Sequence, residues 1–133
     1  MAAIKENKIY KAGYTLELIS TNTLYLKFDG TSKIDLTKVK DMKSIVLEQL
    51  NHKPFKNIVD FGSNSGILTN EAKQFIAKDK DYNRLKICDA LITNSFTTSV
   101  LIGIYINLFK PKTPTKTFSN FDDALKWVSS FPN

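Results

Sequence analysis

Residues with the chemistry to act as nucleophile, base or metal ligand are few in this chain. It holds one cysteine, Cys88, and one histidine, His52, in 133 residues. A Cys–His pair makes a thiolate nucleophile, but Cys88 sits in an apolar run with Ile87, Ala90, Leu91 and Ile92 and reads as an inert strand thiol. His52 falls in Asn51-His52-Lys53-Pro54, a polar stretch expected at the surface. One of each excludes an intrachain disulfide and a multi-cysteine metal site, and removes most nucleophile–base constellations. Asp60, closing the apolar run from Asn57 to Phe61, has the chemistry of a base or ligand. Acid–base work relies on tuned carboxylate pairs, however, and the sequence shows Asp60 no partner. Asp89 reads as a turn or edge carboxylate meeting a lysine. Ser63 and Ser65 lie in Gly62-Ser63-Asn64-Ser65-Gly66, whose amides suit an anion. That loop lacks both the Lys-Ser/Thr end of a phosphate-binding loop and a three-glycine fingerprint, so a plain connection is the simpler reading. No catalytic residue, metal site or cofactor is expected.

The net charge is +6, which raises nucleic acid, an anionic membrane surface or an acidic partner. Eighteen of the nineteen basic residues are lysine and one, Arg84, is arginine, so the forked donor that reads bases is nearly missing. Nucleic acid is therefore not an expected partner. The lysines are spread along the chain as a solvated face would have them. The first residues lack the apolar run of a secretory signal, and the longest greasy stretch, Val100 to Phe109, is about half of what spans a bilayer. The expected place is the cytoplasm, with a peripheral membrane location as the alternative.

These residues must be positioned by one domain, since the length does not accommodate two ordinary ones. Residues 1–13 read as a leader, loose or weakly paired, and 14–133 as the domain. Two alternating runs, Tyr14–Ile19 and Leu24–Phe28, predict an antiparallel hairpin. Asp35 caps a helix whose apolar positions Leu36, Val39, Met42, Val46 and Leu50 recur at helical spacing. A strand at Asn57–Phe61 follows, then a helix from about Thr69, a polar connection over Asp79–Arg84, and a covered strand in Leu85–Thr93. Asn94 or Ser95 caps a helix over 96–109. A short strand at Thr115–Phe118 precedes a last helix, for which Ser119 and Asp122 suggest a capping box. The sum is an α/β fold: a mixed sheet of four to five strands with four helices packed on it.

In such sheets ligands favour the crevice beyond the carboxyl ends of parallel strands. The loops Asp60–Gly66 and Thr93–Ser95 should meet there, making Asp60, Ser63, Ser65, Thr69, Asn94, Ser95, Thr97 and Thr98 the candidates for contact with a partner or ligand. The helix 96–109 stands out, because Phe96, Val100, Leu101, Ile104, Tyr105, Leu108 and Phe109 exceed what one buried stripe needs. A deep core position, a homodimer seam, an apolar ligand, or a bilayer surface flanked by Lys110, Lys112 and Lys116 would each account for the surplus.

Three segments carry a resemblance: Asp89-Ala90-Leu91-Ile92-Thr93-Asn94-Ser95 running into the apolar helix, Phe109 to Phe118 with its Lys-Pro-Lys-Thr-Pro core, and Asp122-Asp123-Ala124-Leu125-Lys126-Trp127-Val128. In this order they resemble the small bacterial SpoIIAA-like branch of the STAS superfamily, the anti-sigma-factor-antagonist fold, which has a distant kinship to CRAL-TRIO lipid-transfer domains. The resemblance spans about Tyr14 to Phe131. It implies a non-enzymatic regulatory module that binds a protein or small ligand. Antagonists of that group carry a phosphorylatable serine in an Asp-Ser-Ser-Gly-like motif. Here the stretch reads Gly66-Ile67-Leu68-Thr69-Asn70-Glu71, with Thr69 the nearest hydroxyl, and capping its helix is role enough for it.

Overall fold

The structure, a computed structural model, describes residues 8–63 and 68–132. Six strands form one sheet: β1 (Lys8–Lys11), β2 (Tyr14–Ser20), β3 (Thr23–Phe28), β4 (Phe55–Gly62), β5 (Lys86–Thr93) and β6 (Thr115–Phe118). They lie side by side in chain order. The pairs β1–β2 and β2–β3 are antiparallel, while β3 through β6 run parallel. Five helices complete the chain: α1 (Leu36–Gln49), α2 (Asn70–Lys78), α3 (Lys80–Leu85), α4 (Phe96–Phe109) and α5 (Phe121–Ser129).

The order of the strands dictates where the helices sit. Crossovers between parallel strands are right-handed, so a sheet that always steps the same way sends every crossover helix to the same face. Accordingly Val39, Met42 and Val46 of α1, Ala72 of α2, Tyr82 and Leu85 of α3, and Ile102 of α4 share one core with Leu24, Leu26, Val59 and Leu91 of the sheet. The helix α5 follows the last crossover and takes the other face, where Ala124 and Val128 pack on Ile58, Cys88, Ala90 and Ile92. The parallel strands β4 and β5 are thus covered on both sides and carry apolar residues on both faces, Ile58, Cys88, Ala90 and Ile92 on one and Phe55, Val59, Phe61 and Leu91 on the other.

The α/β class and the mixed sheet are as the sequence predicts, but the count is one strand and one helix higher. The extra strand, β1, lies in the stretch read as leader. It carries a single inward apolar residue, Ile9, and is held to β2 through the turn at Gly13, whose φ of +93° suits glycine. The extra helix, α3, lies in the stretch read as polar connection. Six residues are too few to display a helical period, yet Tyr82 and Leu85 bury three apart while Asp79 caps the start by accepting from the Tyr82 N–H.

The other caps explain where the helices begin. Asp35 accepts from the Lys38 N–H, Thr69 from Ala72 and Ser95 from Thr98. At α5 the cap is Asn120, which accepts from the Asp123 N–H and donates back to the Asp123 carboxylate, in place of the expected Ser119–Asp122 pair. Beyond α1, Asn51 and His52 both take positive φ and turn the chain toward β4.

Candidate functional site

The two loops expected to meet at the strand ends do so. Ser63 donates to the Asn94 side-chain oxygen at 2.9 Å, and the Asn94 N–H and Thr93 hydroxyl both reach the Gly62 carbonyl. Among the described residues these groups of Gly62, Ser63, Thr93 and Asn94 go into building the corner. Ser95 caps α4 and Thr69 caps α2. Asp60 turns to the α5 face, where Tyr25 donates to one carboxylate oxygen at 2.6 Å and the Gly62 N–H to the other at 2.8 Å. Ser65 lies outside the described residues. Thr97 is exposed, and Thr98 is buried beneath α4. Cys88 is fully buried under α5, and that burial pushes its thiol up to about 11, so it stays protonated and unreactive at neutral pH. His52 is exposed on the turn after α1. Among the described residues no cluster of metal-ligating side chains occurs.

The helix α4 has two characters. Thr98 and Ile102, one turn apart, are buried against the sheet side. Phe96, Val100, Leu101, Ile104 and Leu108 are exposed, Phe96 at 85% and Leu108 at 72%. Tyr105 is half-buried, and the side chain of Phe109 lies outside the described residues. No helix among the described residues is long and apolar enough to cross a membrane. The chain leaves α4 through Lys110 in a left-handed conformation, and Lys110, Lys112 and Lys116 are exposed.

Beneath α4 lies a cavity of about 100 Å³, bounded by the sheet and by α1, α2, α3 and α4. Its walls are mostly apolar, with Val59 and Leu91 from the sheet, Met42 from α1, Phe75 from α2, and Leu101 and Ile102 from α4. Side chains alternate across strands, so the residues on the helix-covered face of β4 are Phe55, Asn57, Val59 and Phe61. Asn57 is the polar exception. Asp89 stands opposite it in β5, two residues before Leu91.

Asn57, Asp89 and Lys86 form a buried polar cluster lining the cavity. The Lys86 ammonium lies 2.9 Å from Asp89 Oδ2, their side chains 2% and 12% exposed. Asn57 Nδ2 donates to Asp89 Oδ1 at 3.1 Å. The ammonium also sits 4.8 Å from the centre of the Tyr82 ring, where the ring face attracts a cation. Burial, then the Asp89 carboxylate, holds the phenols of Tyr82 and Tyr105 above the ordinary tyrosine range, so both stay neutral. Each oxygen of Asp89 thus has a donor. Asn57 Oδ1 does not: it is buried and no described group donates to it.

Asn57 and Lys86 are not among the residues the sequence marks out, and Asp89 appears there as a turn or edge carboxylate. In the structure it is a mid-sheet group, because β6 pairs on its far side. The signal was parity: Asn57 shares the alternation of Val59 and Phe61, and Asp89 that of Leu91.

Residues 18–132 match the family described as Domain of unknown function (DUF7793). The chain belongs to that family. No curated protein and no solved structure matches it.

Proposed function

We propose that this DUF7793 chain is a non-catalytic binding module of SpoIIAA-like, STAS type that holds a small apolar ligand between its sheet and α4. The order of hairpin, parallel strands and capped helices from Tyr14 to Ser129 supports the kinship. The observation that carries the ligand is the cavity of about 100 Å³, with Leu101 and Ile102 of α4 in its wall. An apolar cavity of about 150 Å³ in another protein stays dry and binds benzene, which sets about six carbons as the upper limit for a ligand body here. Among the described residues of the strand-end loops, Ser63, Thr93, Asn94 and Ser95 already bond to neighbouring groups of the protein. The test is titration of the protein with toluene, followed by amide NMR. Saturable shifts at Val59, Leu91 and Ile102, abolished by Leu101→Trp, support the reading. Their absence at millimolar toluene overturns it.

A second reading rests on the outer side of α4. From Phe96 to Phe109 the helix has no charged residue, its exposed side chains include Phe96, Val100, Leu101, Ile104 and Leu108 beside the small polar Thr97, Ser99 and Asn107, and Lys110, Lys112 and Lys116 follow it exposed. That combination suits contact with an anionic membrane surface. Flotation with vesicles of phosphatidylglycerol and phosphatidylcholine tests it: binding lost at high salt and in Leu108→Lys supports it, and no binding at low salt removes it.

A further inference from the structure

The cavity has one polar feature whose chemistry is incomplete, and that feature specifies the end of a ligand as the apolar walls specify its body. The Asn57 amide cannot be turned around, because Nδ2 is committed to a carboxylate oxygen of Asp89 at 3.1 Å, and a reversed amide would set oxygen against oxygen. The atom left over is therefore an acceptor, Oδ1, buried and without a donor among the described residues. A buried acceptor left so is costly, and whatever brings it a donor recovers that cost.

The charges around it decide which donor. Lys86 and Asp89 lie 2.9 Å apart and cancel, so the cluster is already neutral. A ligand ammonium would satisfy Oδ1 but add a net buried charge with no counterion. A ligand carboxylate would bring acceptors to an acceptor, beside an Asp89 carboxylate whose cation is already engaged. A neutral O–H or N–H does neither. The cavity wall also carries Lys43, held by Asp79 at 2.9 Å, and Lys73 of α2, and a benzoate probe tests whether an anion seats on them instead.

Resting on the apolar-ligand reading, we propose that the ligand is a neutral hydrogen-bond donor, an alcohol, phenol or primary amide on a body of up to about six carbons, and that Asn57 Oδ1 accepts its hydrogen bond. Asn57 is then the specificity-determining residue of the cavity. Asp89 and Lys86 are positioning residues that fix which way the amide points.

Four probes share one ring and differ at one end: toluene, benzyl alcohol, benzoate and benzylamine. Dissociation constants at neutral pH come from the amide NMR titration of the whole chain. Benzyl alcohol is expected to bind about tenfold tighter than toluene, the worth of one hydrogen bond to a desolvated acceptor. Benzoate and benzylammonium are expected to bind more weakly than the alcohol. In Asn57→Leu the alcohol loses its advantage while toluene still binds. If that variant does not fold, the ratio in the unaltered protein decides. An alcohol no tighter than toluene gives the acceptor to a buried water and overturns the assignment, leaving the apolar pocket standing. Tighter binding of either ion also overturns it. If none of the four binds, the pocket itself falls.

Discussion

The hydroxyl of Tyr25 donates to a carboxylate oxygen of Asp60 at 2.6 Å, joining β3 to β4 on the α5 face of the sheet. With the Gly62 N–H on the other oxygen, both sides of this carboxylate are engaged in structure. Burial, then the bond to Asp60, holds the Tyr25 phenol above the ordinary range. Tyr25→Phe keeps the ring against Phe121 and removes the donor. It is expected to cost about 1–2 kcal/mol in urea denaturation and to leave toluene affinity unchanged. Unaltered stability would show the bond to be idle.

The Lys86–Asp89 pair gives a sharper result. Taking away one member strands a buried charge, which costs about 3–5 kcal/mol, whereas replacing both with apolar groups is often close to neutral. Lys86→Met is therefore expected to lose about 3 kcal/mol or more, and Lys86→Met with Asp89→Leu to recover most of it. A double variant no better than the single one would contradict this account of the cluster.

Alkali should weaken the fold. Cys88 is raised from 9.0 to about 11, and Tyr14, Tyr25, Tyr82 and Tyr105 all lie above their ordinary 10.0, burial being the first cause for each. Lys43 also holds its proton more tightly, through its bond to Asp79. The folded chain thus keeps protons that the unfolded chain releases, so the stability from these groups is whole below about pH 9 and is lost as pH rises through the folded values. Urea midpoints should fall steadily from pH 9 to pH 11, and an equal midpoint at both ends would refute this. At pH 8 the Cys88 thiolate is about one part in a thousand, so a disulfide reagent should modify it in urea and spare it in the native protein.

Substitutions along α4 should divide by side. Ile102→Ala, on the buried side, is expected to cost about 2–4 kcal/mol. Phe96→Ser and Leu108→Ser, on the exposed side, should stay within about 0.5 kcal/mol. A β-carbon on Gly103 would meet nothing within 4 Å, so Gly103→Ala should gain about 0.5–1 kcal/mol from helix propensity alone. Thermal melts of the four variants check the pattern, and a destabilising Leu108→Ser would mean that α4 is packed on its outer side as well.

Elements with a long period or a strong cap were legible in the sequence. The Leu36–Gln49 helix shows four turns of apolar spacing behind Asp35, and the covered strand β5 shows an apolar run broken only by Asp89 between Ile87 and Ile92. Elements that tertiary contact completes were not. The strand β1 offers four residues with one inward side chain, and α3 is less than two turns of mostly polar residues. The candidate site divides the same way. Loop residues such as Ser63 and Asn94 announce themselves by type, and their meeting follows from the parallel strands. Asn57 and Lys86 matter because they are buried, and burial is decided by which neighbour lies across the strand. An asparagine in a strand looks the same in sequence whether it faces water or a cavity.

The chain-order sheet has a further consequence for how the molecule is made. Every strand finds its neighbour in the segment synthesised just before it, so the layer can grow in one direction as the polypeptide emerges, each crossover helix closing over the patch newly laid down. The opposite side has no such running cover. Ile58, Cys88, Ala90 and Ile92 wait for α5, which comes after all six strands, so a nascent chain stalled before residue 121 presents a bare greasy surface to the chaperones around it.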